Sequence, residues 1–81
     1  MGKSVYQRVI DFTAAYLSIS PSAVSPTDSY SALGIPGSDM PIYMEQLELS
    51  FSLIYNPGDE NGIVIVDDAI RFIKNKLGPQ P

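Results

Sequence analysis

Neither cysteine nor histidine occurs among the 81 residues, so the chain's own chemistry is limited to hydroxyls, carboxylates and a few cationic groups. Their absence removes disulfides, thiolate ligands and a thiol nucleophile. With imidazole go the usual general base, the usual zinc ligand and every triad built around it. Two groups of residues remain worth weighing. Asp59 and Glu60 stand in a turn beside Asn56 and Asn61, but adjacent turn carboxylates seldom hold a cation tightly, and no metal is expected. Ser38 stands in Pro36-Gly37-Ser38-Asp39-Met40-Pro41. A serine beside an acid and just ahead of a proline reads first as a helix N-cap, with Pro41 in the first turn where its missing N–H costs nothing. No acid–base constellation can be assembled from these residues, so an enzyme is not expected.

Charge narrows the partners. The net charge is −4. Lys3, Arg8, Arg71, Lys74 and Lys76 lie near the two ends, and all nine carboxylates lie between Arg8 and Arg71. Such a centre repels phosphate backbones, so nucleic-acid binding there is disfavoured. It steers partners that carry basic patches, or it is simply a solvated face that aids solubility.

Any such surface must be carried by one small domain, residues 1–81 with a core over about 4–77, because a chain this short closes a single core. The longest apolar run, Gly62-Ile63-Val64-Ile65-Val66, falls far short of the roughly twenty residues a membrane span needs. The N-terminus enters a mixed polar and apolar segment rather than a signal-peptide core. A cytoplasmic monomer without membrane contact is the expectation.

Helical spacing dominates the pattern. Val5, Val9, Phe12 and Tyr16 form one stripe, and Tyr6, Ile10 and Leu17 widen it into a broad buried face. Ser20-Pro21 and Ser25-Pro26 then break the helix, opening a long connection to about Gly37 anchored by Ile19, Val24, Tyr30 and Leu33. Long ordered connections of this kind are more often functional. A second helix should start near Ser38, with Ser38 or Asp39 as its cap and Met40, Met44, Leu47 and Phe51 facing inward. Asn56-Pro57-Gly58-Asp59 closes it or the loop that follows. Ile63 to Val66 has strand-like composition but no evident partner strand, so it is read as a buried connection or a short helical turn. A last helix places Val66, Ala69, Ile70, Ile73 and Leu77 inward, with Asp67-Asp68 at its positive end and Arg71, Lys74 and Lys76 toward its negative one. Gly78-Pro79-Gln80-Pro81 forms a short tail. The predicted fold is all-α: a small bundle of three main helices plus a short helix, with a long loop between the first and second.

Over roughly residues 5–77 this order of patterns resembles the acyl carrier protein family. Ile19-Ser20-Pro21-Ser22-Ala23-Val24-Ser25-Pro26-Thr27-Asp28-Ser29-Tyr30 is similar to the family's apolar-Ser/Pro-x-x-x-Val-x-Pro-x-x-Ser-aromatic segment. Leu33-Gly34-Ile35 is similar to its Leu-Gly-x. Leu47-Glu48 and Phe51 match the second helix, and Val66-Asp67-Asp68-Ala69-Ile70-Arg71-Phe72-Ile73 resembles its closing Val-x-Asp-Ala-Ile-x-aromatic-Ile. At the attachment site the family reads Asp-Ser-Leu, whereas here the acid follows Ser38. Measured from Tyr30 the serine falls where expected; measured back from Phe51 it is one residue too close.

The resemblance implies a carrier rather than a catalyst. Ser38 would be esterified by 4'-phosphopantetheine, donated from coenzyme A by a phosphopantetheinyl transferase, and the arm's thiol would hold acyl, polyketide or peptidyl intermediates as thioesters. It also implies docking of synthase enzymes with basic patches through the second helix, by Asp39, Met40, Ile42, Glu45 and Glu48. The methionines read more simply as core filler. Fatty-acid, polyketide or nonribosomal peptide biosynthesis is the implied setting. The alternative is an unmodified interaction or regulatory module that binds partners through the same helix, or an unrelated small helical protein.

Overall fold

The computed structural model describes residues 2–78, so Met1 and, apart from Gly78, the expected tail lie outside the described residues. Helix α1 (Val5–Leu17) begins where Ser4 Oγ accepts the Gln7 N–H at 3.0 Å. It ends where Ser18 turns left-handed (φ 58°) and the Ile19 N–H reaches back to the Ala14 carbonyl at 2.9 Å. Its buried residues are Val9, Ile10, Thr13 and Ala14. Tyr6 and Tyr16 are exposed, so the buried face is narrower than their spacing predicts.

The long connection is more structured than its prolines suggest. It holds a 3-10 turn over Pro21–Ala23 and the single-turn helix α2 (Tyr30–Leu33). Ser29 Oγ caps α2 by accepting the Ala32 N–H at 3.1 Å, and Gly34 ends it at φ 104°, a conformation glycine adopts without steric cost. A second 3-10 turn, Gly37–Asp39, leads directly into α3 (Met40–Ser50), and α4 (Val66–Leu77) completes the bundle along α1. The fold is all-α, with four helices and no strand among the described residues.

The stretch from Ile63 to Val66 corrects its sequence reading. It is extended rather than helical before α4 begins, and Val64 is 62% exposed. Its partner lies in the long connection. Ser29 and Ile65 form an isolated antiparallel bridge; the Tyr30 N–H donates to the Val64 carbonyl and the Val66 N–H to the Asp28 carbonyl, each at 3.0 Å. The Asp67 N–H adds a bond to the Pro26 carbonyl at 2.8 Å. The β-branched composition was therefore a genuine signal of extended backbone, satisfied by one bridge rather than a sheet.

Asp68 closes the start of α4 by accepting the Val64 and Ile65 N–H groups, both at 3.0 Å, and those bonds hold its carboxyl below the usual range. Arg71 turns back to Asp67 and Asp68, an exposed pairing worth little. The core gathers Val9, Tyr43, Met44, Leu47, Val66, Ala69 and Ile73 without exposure, with Tyr30, Ile35 and Ile70 almost as deeply buried.

Candidate functional site

The entry to α3 is built by backbone rather than by a side-chain cap. The Asp39 N–H donates to the Pro36 carbonyl at 2.9 Å and the Met40 N–H to the Gly37 carbonyl, forming the turn that carries Ser38. Neither Ser38 nor Asp39 supplies the predicted capping bond. Ser38 is exposed, and no hydrogen bond to another described residue engages its hydroxyl. Pro41 sits in the first turn as expected. The hydroxyl therefore stands free at the positive end of an 11-residue helix, where an attached anion is favoured. A shallow cleft of about 160 Å³, lined by Tyr30, Ile35, Gly37, Met40 and Ile63, adjoins it.

What fixes this helix start against the bundle is a chain of buried hydroxyls. Thr13 Oγ1 donates to the Val9 carbonyl at 2.8 Å. That single proton being committed, Tyr43 must donate to Thr13, and Tyr30 to Tyr43, each at 2.8 Å. The chain ties α2 and α3 to α1 and leaves no hydroxyl without a partner. Burial pushes the Tyr43 hydroxyl up to about 12 and raises that of Tyr30 as well. The Tyr43 ring also meets Phe12, Tyr16 and Tyr30 at centroid distances of 5.7, 5.3 and 4.7 Å. Tyr43→Phe strands the Tyr30 proton and should cost about 1–3 kcal/mol in urea unfolding, more than a lone exposed tyrosine hydroxyl would.

Among the expected docking residues, Asp39, Ile42 and Glu45 are exposed, Ile42 by 56%. Met40 and Glu48 are not available: both point inward, and Glu48 has no exposed surface. The reason is periodicity. Glu48 follows Met44 by one helical turn, just as Met44 follows Met40, so all three share the inward row. In their place the outer face offers Leu49, 65% exposed, and beyond the helix Ile54, 80% exposed. With Glu45, Gln46, Leu53 and Tyr55 they line a groove of about 390 Å³.

Behind that groove lies an ion cluster. Lys76 of α4 donates to Glu48 Oε1, to Asp59 Oδ2 at 2.8 Å and to the Ile54 carbonyl at 2.7 Å. Burial, reinforced by nearby Asp59 and opposed by Lys76, raises the Glu48 carboxyl. Burial alone would raise Asp59 too, but the Lys76 and Asn56 hydrogen bonds outweigh it and lower that carboxyl. Glu60 accepts the Tyr55 hydroxyl, which is thereby raised to about 12, and the Gly58 N–H at 3.2 Å. The acidic turn is thus engaged by protein donors, and among the described residues no cluster of three or more carboxylates is placed to hold a metal ion.

No family model, curated protein or solved structure matches this chain. Among the described residues, no helix is long and apolar enough to cross a membrane.

Proposed function

We propose that the chain is a carrier of the acyl carrier protein type, with Ser38 as the attachment point of 4'-phosphopantetheine. The observation that carries this reading is the free, exposed hydroxyl of Ser38 at the entry to α3, in a protein that has no thiol of its own. A phosphate ester there sits at the positive end of the helix and needs no local base, since a separate transferase performs the chemistry. The tethered thiol then carries acyl, polyketide or peptidyl groups as thioesters. Asp39, Ile42 and Glu45, together with Leu49, present a mixed acidic and apolar face to synthase enzymes with basic patches. The carrier works as a cytoplasmic monomer and performs no catalysis itself.

The departure from the family's Asp-Ser order gives the test its second arm. Gly37 has an ordinary backbone conformation and open space where a side chain would stand, so Gly37→Asp restores an acid before the serine without distortion. Wild-type protein incubated with coenzyme A and a promiscuous phosphopantetheinyl transferase should gain the mass of one arm, and Ser38→Ala should not. A gain confined to Gly37→Asp, and lost when Ser38→Ala is added, would show that the fold presents Ser38 to a transferase while the natural sequence is not a substrate of the enzyme used. No gain in either protein overturns the carrier reading. It would favour instead an unmodified module that binds through the groove lined by Leu49 and Ile54.

A further inference from the structure

Glu48 is fully buried, one carboxylate oxygen is held by Lys76, and the other, Oε2, has no hydrogen-bond partner. Asp59 shares the same lysine from the opposite side. Two carboxylates therefore face one ammonium, an excess of one negative charge, and of the three groups Glu48 alone has no exposed surface. A buried carboxylate oxygen without a donor, beside a second carboxylate, is unstable as an anion unless the group takes up a proton. The cluster also has a mechanical position. Lys76 belongs to α4, Glu48 to α3, and Asp59 and the Ile54 carbonyl to the loop between them, so one side chain fastens three parts of the fold. Leu53, Ile54 and Tyr55 of that loop form one wall of the groove on α3.

We infer that Glu48, Asp59 and Lys76 form a proton-dependent latch that holds the 53–59 loop, and with it the groove wall, against α3 and α4. In the fastened state the two carboxylates retain one proton between them, and the cluster is neutral. Loss of that proton leaves Glu48 Oε2 anionic, without a donor and close to Asp59, and the loop loosens to give it water. Lys76 is the cation paired with Glu48, Asp59 the neighbouring anion, and the Phe72 ring lies 5.5 Å from the ammonium. Glu60, in the same loop, is occupied by Tyr55. The sign follows from Glu48, whose carboxyl is raised on folding. Its contribution is present below the ordinary glutamate value and is lost as pH rises through the folded-state value. Asp59 acts oppositely and only under acid conditions, because its carboxyl is lowered.

The latch is tested on the intact protein by following the Glu48 side-chain carboxyl carbon by NMR against pH. Amide exchange at Leu53 and Asn56 is read in parallel, since their N–H groups bond the Glu48 carbonyl and Asp59 Oδ2. The carboxyl should titrate above the ordinary glutamate range. Across the same step, after correction for intrinsic base catalysis, protection at both amides should fall by about tenfold for each unit of elevation. Glu48→Gln keeps the shape without the titration and should abolish the step while leaving both amides protected. A Glu48 that titrates at the ordinary value overturns the latch, as does a step that persists in Glu48→Gln.

Discussion

Replacing Lys76 by Met should lower the unfolding free energy by about 1–3 kcal/mol, the cost of leaving the Glu48 and Asp59 oxygens and the Ile54 carbonyl without their shared donor, since Glu48 without its lysine keeps a proton rather than a bare charge. Methionine keeps much of the lysine's apolar stem, so the loss isolates the ammonium. Glu48 has no exposed surface and cannot rotate to solvent without moving α3, whereas Asp59 lies nearer the surface. For a domain of this length total stability is on the order of 4–12 kcal/mol, so the loss is a measurable share of the whole. Urea denaturation followed by circular dichroism measures the effect. The double variant Lys76→Met with Glu48→Leu removes both charges and should recover most of the loss. A single variant indistinguishable from wild type would mean that the Lys76 ammonium contributes nothing to holding Glu48 and Asp59.

The second large effect is expected at the end of α3. Phe51 is 7% exposed, and the Arg8 guanidinium lies 3.9 Å from the centre of its ring while donating to the Ser50 carbonyl at 2.9 Å. Arg8 thus covers the ring and meets the negative end of the helix together. Phe51→Ala opens a cavity in the core and takes away that platform, for a cost of about 3–5 kcal/mol. Arg8→Ala uncovers one face of the ring but leaves its core contacts in place and should cost about 0.5–1 kcal/mol. The contrast between the two, again in urea, separates packing from charge. Equal losses would assign the stability to the cation rather than to the ring.

How far the sequence foretold these features depends on the range of the interaction concerned. α1, the start of α3 and the inward face of α4 were legible because their apolar residues recur at helical spacing and Pro41 and Asp68 mark helix starts locally, whereas the Ser4 cap of α1 was not read. Ser38 was legible as an exposed residue at a helix entry, though the turn around it is closed by backbone bonds rather than by its hydroxyl. The role of Glu48 was misjudged because residue type argued for the surface while its spacing from Met40 and Met44 argued for the interior. The deciding partner, Lys76, is 28 positions away. The same holds for Ile63 to Val66, whose partner Ser29 lies across the whole of α2 and α3. Thr13 and Tyr43 gave no local hint of the hydroxyl chain that joins them.

The bridge between Ser29 and Ile65 has a bearing on chain length. The neck closes the stretch from α2 to the acidic loop, which the buried hydroxyls and Lys76 fasten again further in, so an insertion at the exposed Asn61 and Gly62, away from those ties, need not drag α1 and α4 out of register.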